Sequence, residues 1–364
     1  MSTTMPTGDH ACVATDLDRG QTERWERFLA SHPLGQYQQS VRWARVKQGD
    51  GWSARLKTWT SGHELAGGFL MLVKKTRLGR LGFVNKGPVL REETPEFINE
   101  ALNRLVRTAQ EEQLRGLIVQ PPDFSKIRRE HLHRHGFSLR AVPGIIDATL
   151  IASLEGGAEA IYKRLGSTAR NEARRAMERG VRVVEGDQAD LPVFFDLMCQ
   201  SCVRQKVRPN PSSVQALRLR WEAFGHDIKL LFADVGNERI AGLLLLRFAD
   251  RCTFEKKGWN EKYPKCFPNT LLYVEAMRKA AEWGCRSADF GAMDRSLAER
   301  ILKEGTAPGE LAATRHSFHY RLGGMPVLLP PAQIRVWPRF LTGCMDFCLA
   351  WPRLSRWLEH RVGG

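Results

Sequence analysis

Residues 63–75, HELAGGFLMLVKK, give the strongest clue to the architecture. Residues 238–250, ERIAGLLLLRFAD, repeat their order of a polar turn, an Ala-Gly pair and an apolar strand, 175 residues further along the chain. Downstream of each stretch, a helical pattern leads into a buried strand: EALNRLVRTAQEEQLRG precedes LIVQPPD, and YVEAMRKAAEWGC precedes RSADFGAMD. We therefore predict two copies of one α/β unit.

Hydrophobic periodicity predicts the elements of both units. Strands are expected at 53–60, 66–75, 81–85, 116–120, 228–234, 239–249, 251–258 and 286–291, and helices at 20–31, 94–114, 189–205, 212–225 and 269–284. The Gly-led turns favour mixed, mostly antiparallel sheets over a doubly wound parallel one. We divide the chain into a flexible N-terminus (1–20), a first domain (21–150), a second domain (151–330) and an amphipathic helical tail (331–364).

The composition narrows the partners. Lys and Arg outnumber Asp and Glu by 55 to 40, and this net charge of +15 favours a polyanion such as nucleic acid, a phosphorylated substrate or anionic lipid. The eight cysteines form no disulfide framework, and there is no signal peptide and no spanning apolar run, so a cytoplasmic protein is expected. No GxGxxG or GxxxxGK[ST] motif supplies a dinucleotide or P-loop site.

Eight short blocks occur in an order that resembles the FemABX family of aminoacyl-tRNA-dependent peptidyltransferases. They are YQQSVRWARVK, AGGFLMLVKK, NKGPVL, TARNEARRAMERGVRV, IAGLLLLRF, CTFEKKGW, KCFPNTLLYVEAMRKAAEWGCRSADFGA and FHYRLGG. The resemblance covers about residues 25–325. It implies an α/β (α+β) fold with two tandem GNAT-like domains. The short segment between Arg204 and Ile228 excludes the helical arm of some members, so the compact type is expected.

The resemblance also implies a reaction: an amino acid moves from the 3′ ester of a charged tRNA to an amine, forming an amide. A strand pair splayed by a bulge would hold the ester and offer backbone N–H groups to the oxyanion. Because the ester is already activated, juxtaposition and removal of one proton remain. No metal or other cofactor is expected beyond aminoacyl-tRNA as co-substrate. The acceptor is an amine on a nucleotide- or lipid-linked peptidoglycan precursor, or a small amine from antibiotic or other biosynthesis.

Four residues are predicted to bind the acceptor. Lys47 matches a family lysine that faces nucleotide phosphates, and Arg204 matches an arginine with a similar task, so the two would clamp a diphosphate. Trp43 and Lys257 complete this set. Val203 stands where the family usually has an acidic residue, which keeps the small-amine acceptor open. The alternative for each cation is an ordinary surface charge.

A second set is predicted to bind tRNA. LGSTARNEARRAMERGVRV, residues 165–183, carries a dense row of arginines on a predicted helix. Arg170 and Arg174 share one face and would contact phosphate, as would Lys256, while Tyr320 would stack on the terminal adenine. The alternative for the arginine row is a solvated helix face paired with its own glutamates.

Asp289 in ADFGAMD is the predicted catalytic proton acceptor, because it follows a buried strand. Its alternative is a turn or capping aspartate. No Ser-His-Asp or Cys-His set is convincing, and the pair Cys199 and Cys202 is assigned to helix packing instead of metal or redox chemistry.

The tail and the remaining alternatives concern partners. Residues 331–364 carry tryptophans and arginines that would lie on the inner membrane surface, or dock on the second domain. We expect a monomer. An acyl-CoA-dependent N-acyltransferase on the same scaffold is the alternative enzyme, although RLGRLGF has the wrong spacing for a CoA loop. A non-catalytic RNA- or membrane-binding module is the third class, without an RNA-binding signature to support it.

Overall fold

The structure is a computed structural model that describes residues 19–77, 79–139, 144–305 and 309–337. Nearly all of the predicted flexible N-terminus and most of the predicted tail lie outside these ranges. Within them the chain forms two seven-stranded sheets, each flanked by helices.

The first half builds three antiparallel strands, a long helix and a returning strand. Its helices are α1 (Arg19–Ser31), α2 (Val41–Gln48), α3 (Pro95–Glu111) and α4 (Arg129–Arg134), and its strands are β1 (Ser53–Ser61), β2 (Glu64–Thr76), β3 (Gly79–Asn85), β4 (Val89–Leu90), β5 (Leu114–Gln120) and β6 (Ser138–Leu139). The sequence fixes the start of α3 because the Thr94 hydroxyl accepts the Phe97 N–H and Pro95 occupies the first turn.

The second half repeats this plan with additional elements on both sides. They are β7 (Ala148–Ser153), α5 (Gly157–Arg164), α6 (Ser167–Glu178), β8 (Val181–Gly186), α7 (Leu191–Arg204), α8 (Val214–Phe224), β9 (Ile228–Val235), β10 (Glu238–Phe248), β11 (Arg251–Trp259), α9 (Pro268–Glu282), β12 (Ser287–Ala292), α10 (Arg295–Glu304), α11 (His316–Arg321), β13 (Met325–Leu328) and β14 (Gln333–Val336).

The internal repeat is confirmed. The series β1, β2, β3, α3, β5 recurs as β9, β10, β11, α9, β12, and the starts of corresponding elements lie 172 to 175 residues apart. Within each series the pairing is antiparallel except for the last two strands, which are parallel: β3 with β5 and β11 with β12. The predicted mixed, mostly antiparallel sheets are therefore present, and the predicted boundaries agree to within a few residues.

The division into domains differs from the prediction at two places. Strand β7 crosses the predicted boundary after residue 150 and pairs with β12 and β13 of the second sheet. Strand β14 returns to the first sheet and inserts between β5 and β6, the place that β7 holds in the second sheet. Residues 333–336 are therefore a strand, not part of a helical tail, because Ile334 and Val336 alternate into the apolar core.

The two halves share their central core. One apolar cluster contains Leu70 and Phe83 of the first sheet together with Leu230 and Leu244 of the second. Separate clusters lie under α3 on the outer face of the first sheet and under α5, α6 and α9 on the outer face of the second. The halves are thus packed against one another through apolar side chains, which fixes the geometry of any site between them.

Buried ion pairs reinforce this contact. Asp123 of the first half accepts hydrogen bonds from Lys86 at 2.6 Å and from Arg251 of β11 at 2.7 Å. Burial alone would raise the pKa of Asp123, but the two cations hold it below its usual value. Arg42 of α2 reaches Asp227 beside β9 at 2.7 Å. Strand β11 is therefore anchored to the first half at the end where it enters the candidate site.

Candidate active site

A cleft of about 810 Å³ opens where the two halves meet. Strands β11 and β12 pair only through Arg251 with Ser287, Cys252 with Ala288 and Thr253 with Asp289, and then separate. The separated ends, residues 254–257 and 290–292, line the cleft together with α2, α7 and α11. The splayed strand pair implied by the family resemblance is therefore present in the second half.

A β-bulge shapes the same strand. Leu244 of β10 pairs with Lys256 and Leu245 pairs with Phe254, so Glu255 has no partner across the ladder. Glu255 and Lys256 interact on the side of the first half, where Lys256 Nζ lies 3.6 Å from Glu255 Oε1. The bulge thereby directs two consecutive side chains toward the same wall of the cleft.

The wall on the side of the first half carries three cations, Lys47, Arg220 and Lys256, which we call the α2–α8 cluster. Lys47 Nζ lies 5.0 Å from the centre of the Trp43 ring and Arg220 Cζ lies 5.8 Å from it. Arg220 Nε approaches the same Glu255 oxygen as Lys256, at 3.6 Å. The only acidic groups paired with these cations within the described ranges are Glu255 and Asp50. The cluster therefore keeps excess positive charge beside the cleft.

Burial leaves this charge incompletely satisfied. It lowers the pKa of Lys47 to about 8, against the opposing effect of Asp50 at 3.5 Å. Arg220 is 1% exposed, and its Nη1 donates to the Ala216 carbonyl at 2.9 Å. Its Nε and Nη2, and Oε2 of Glu255, make no hydrogen bond to described residues. Since buried polar groups are normally paired, this arrangement is typical of a site that awaits an anion.

A second pair of cations lies at the α11 side of β11. Lys257 and Arg315 both line the cleft, and no described residue forms an ion pair with either. The surrounding protein and the nearby Arg315 lower the pKa of Lys257. Positive charge thus flanks β11 on both sides, at the point where it parts from β12.

The structure brings together four of the predicted residues: Trp43, Lys47, Lys256 and Lys257 all line the cleft. It does not bring Arg204 to Lys47, because Arg204 pairs with Glu261 at 2.8 Å and donates to the Trp259 carbonyl at 2.9 Å. The predicted clamp is therefore corrected.

Arg220 of the next helix is the arginine beside Lys47, and sequence reasoning missed it. The repeat could have identified it. Val41 and Val214 begin α2 and α8, and Lys47 and Arg220 hold the same later position, 173 residues apart in each case.

Asp289 does not line the large cleft. It lies on an adjacent cavity of about 60 Å³, where its Oδ1 accepts hydrogen bonds from the Thr149 hydroxyl at 2.5 Å and from the Gly291 N–H at 2.9 Å. Burial raises its pKa. These contacts tie β12 to β7 where β12 leaves β11, and they favour the turn aspartate over the predicted catalytic base.

The predicted tRNA contacts outside the cleft are engaged locally. Arg170 donates to the Leu165 carbonyl, and Arg174 pairs with Glu178 one turn further along α6. Tyr320 packs against the core of the second half. None of the three lines the cleft, so tRNA binding by these residues stays a prediction.

Three further predictions concern features that the described ranges contain. Cys199 and Cys202 lie in α7, and burial raises the pKa of both thiols. Among the described residues, no three His, Cys, Asp or Glu side chains are grouped as metal ligands would be. Of the helices in these ranges, none has the length and apolarity needed to cross a bilayer.

Comparisons with known proteins agree with this geometry. The sequence profile of the FemAB family matches residues 21–135, and that of the acetyltransferase (GNAT) domain matches residues 163–298. The crystal structure of FemX superimposes with a TM-score of 0.73 at 17% identity, over 89% of this chain and 98% of that one. The chain belongs to the FemABX family. Its two GNAT-like domains occur in tandem, as in the other members.

Two further relatives illustrate the range of this architecture. Lipid II:glycine glycyltransferase of Staphylococcus aureus is 24% identical over 185 residues, 48% of this chain. The match spans only 44% of the length of that relative. A tandem GNAT protein from the clavulanic acid biosynthesis pathway has a TM-score of 0.51 at 10% identity, over 89% of this chain and 97% of that one. The structural likenesses concern the fold.

Proposed function

We propose that this FemABX protein is an aminoacyltransferase that moves an amino acid from charged tRNA to an amine on a phosphorylated acceptor. The observation that carries the proposal is the positive charge on both sides of β11, where it parts from β12. Lys47, Arg220 and Lys256 lie on one side, and Lys257 and Arg315 on the other. Two anionic substrates can therefore approach the gap between the strands from opposite walls.

The gap suits the chemistry of ester aminolysis. The acceptor nitrogen attacks the ester carbonyl carbon, a C–N bond forms, and the carbonyl electron pair moves to oxygen. Collapse of this intermediate breaks the bond to the ribose oxygen, which receives the proton that the amine gives up. Holding both reactants at van der Waals distance supplies much of the rate, so few catalytic side chains are required.

The acceptor phosphate is assigned to the α2–α8 cluster. Lys47 and Lys256 face the cleft, and the fixed charge of Arg220 lies behind them. A lipid- or nucleotide-linked cell-wall precursor fits this wall, and the name of the staphylococcal relative supports the lipid-linked form. The reaction would then occur in the cytoplasm, at the inner membrane surface for a lipid-linked acceptor.

The donor is assigned to the opposite wall. Lys257 and Arg315 would neutralise phosphates near the 3′ end of tRNA, and binding should weaken with salt because each neutralised phosphate releases counterions. Aminoacyl-tRNA is the co-substrate, and we propose no other cofactor. We propose that the protein acts as a monomer, because one chain supplies both walls.

A transfer assay tests the proposal. The full chain is incubated with tRNA charged with labelled amino acids and with lipid-linked precursor, nucleotide-linked precursor or a small amine, and labelled amide is measured. RNase treatment of the donor should abolish the product. Product from acetyl-CoA but not from charged tRNA would instead establish an acyl-CoA-dependent enzyme, and RNA binding without product would establish a binding module.

Two matched variants separate the walls. Lys256→Met should raise the KM of the acceptor about tenfold and leave that of charged tRNA unchanged, since a charged hydrogen bond contributes about 1.5 kcal/mol. Lys257→Met, one residue further along β11, should do the reverse. Equal effects of both variants on both substrates would overturn the assignment of walls.

A further inference from the structure

A polar pair lies among the aromatic rings of the cleft. Tyr273 of α9 and His319 of α11 both line the cleft, and His319 Nε2 lies 3.4 Å from the Tyr273 hydroxyl oxygen. The imidazole stacks on Phe290, with ring centres 5.2 Å apart, and Phe254 contacts the edge of Tyr273 at 5.3 Å. The pair therefore sits where β11 and β12 have separated.

Both members of the pair are neutral over the working pH range. Burial lowers the pKa of His319 to about 3, and the nearby Lys257, His316 and Arg315 act in the same direction. Burial raises the pKa of Tyr273. The two groups consequently form a neutral hydrogen bond.

The surroundings of His319 select its tautomer. Its Nδ1 is buried and makes no hydrogen bond to a described residue. An orphaned buried N–H is rarer in folded proteins than an acceptor with a free lone pair, so the hydrogen belongs on Nε2. Nε2–H then donates to the Tyr273 oxygen, and the tyrosine hydrogen is left to point into the cleft.

We propose that Tyr273 donates its hydroxyl hydrogen bond to the ester carbonyl oxygen of the donor substrate, and that His319 positions it. This inference rests on the proposed aminoacyl transfer. As the amine attacks, negative charge moves to the carbonyl oxygen and the hydrogen bond strengthens, while the tyrosine keeps its proton. The proton lost by the amine still ends on the ribose oxygen, so the step balances without an acid-base role for either residue.

The packing around Tyr273 suits this task. Its ring contacts Phe254, Phe290 and Phe318, and the residue is 3% exposed. A donor that is already fixed in a dry site stabilises developing charge without reorganising at the moment of reaction. The separation of 3.4 Å from His319 is long, as is common before substrate binds.

Tyr273→Phe tests the catalytic role because it removes one oxygen and keeps the ring. We expect kcat to fall about 100-fold, with the KM values of charged tRNA and acceptor unchanged, since loss of one oxyanion donor typically has this effect. Tyr162→Phe on the exposed face of α5 is the matched control and should have wild-type kcat. A wild-type kcat for Tyr273→Phe overturns the proposal.

The positioning role of His319 needs a different readout. His319→Gln keeps a side-chain N–H donor and should retain most of kcat, whereas His319→Leu should lose as much as Tyr273→Phe. Nitrogen NMR of histidine-labelled protein should show His319 with its hydrogen on Nε2 and no titration between pH 5 and 8. A hydrogen on Nδ1 overturns the pair even if the wild type transfers amino acids. Failure of the wild type to transfer amino acids overturns the proposed function and this inference, whereas the tautomer is measured independently of activity.

Discussion

The two halves of the molecule differ most at the fourth residue of their parallel strands. In the first half β3 and β5 remain paired from Arg80 to Asn85, and the fourth residues are Gly82 and Leu117, which face one another. In the second half β11 and β12 separate after three pairs, and the fourth residues are Phe254 and Phe290, with ring centres 5.2 Å apart. One repeat thus closes over a glycine, and the other is held open by two aromatic rings.

This difference explains why only the second half carries the splayed strand pair of the site. The first half contributes a wall instead, through α2. The cations at equivalent positions, Lys47 of α2 and Arg220 of α8, meet over the same tryptophan, Trp43. Duplication followed by divergence at a few positions therefore supplies both the opening and its charge.

The largest expected effect separates these two cations. Arg220→Met should lower the free energy of unfolding by about 3 kcal/mol, because it leaves the buried Glu255 carboxylate without its partner. Lys47→Met should lower it by less than about 1 kcal/mol, because Lys47 pairs only with the partly exposed Asp50. Urea unfolding measures both. The double variant Arg220→Met, Glu255→Gln should recover most of the loss, and equal effects of the two single variants would contradict the distinction.

The next prediction thins the aromatic wedge. Phe254→Leu combined with Phe290→Leu should let β11 and β12 approach, and transfer should fall about 100-fold because small displacements of reacting groups have effects of this size. Transfer kinetics measure the loss, and a cooperative unfolding transition confirms that the fold survives. Phe69→Leu in the core of the first half is the control: it removes a buried ring and should leave kcat unchanged. Wild-type transfer by the double variant would show that the rings do not hold the gap open.

The fold could be predicted from the sequence because the repeated order of elements is a local pattern, and each unit reports it independently. The place of β14 could not, since four residues carry no signal for the sheet they join. Trp43, Lys47, Lys256 and Lys257 were found because they lie in quoted blocks on β11 and α2. Arg220 and the pair of Tyr273 and His319 were missed because their significance depends on burial and on unpaired atoms.

A smaller effect comes from forcing the first half to resemble the second. A Cβ added at Gly82 would lie 2.4 Å from Leu114 Cδ1 and 3.0 Å from Leu117 Cδ1. Gly82→Phe should therefore lower the free energy of unfolding by about 2 kcal/mol, and Gly82→Ala by less, as overpacking in a tight core does. Thermal unfolding of the graded pair measures this. If Gly82→Phe is as stable as the wild type, the first sheet can also part, and the glycine is not what keeps it closed.

The smallest effect concerns the pH dependence of the two equivalent cations. Burial lowers the pKa of Lys47 to about 8, so the side chain is charged below that pH and loses its proton above it. Because the charged form binds phosphate, the KM of the acceptor should rise as pH increases above 8, by up to about tenfold per unit. At saturating acceptor kcat should not follow this ionisation, since the bound phosphate raises the pKa of Lys47 again. Lys47→Arg, which stays charged as Arg220 does, should flatten the rise in KM. A rise that persists in Lys47→Arg would assign the ionisation to another group and remove Lys47 from the acceptor wall.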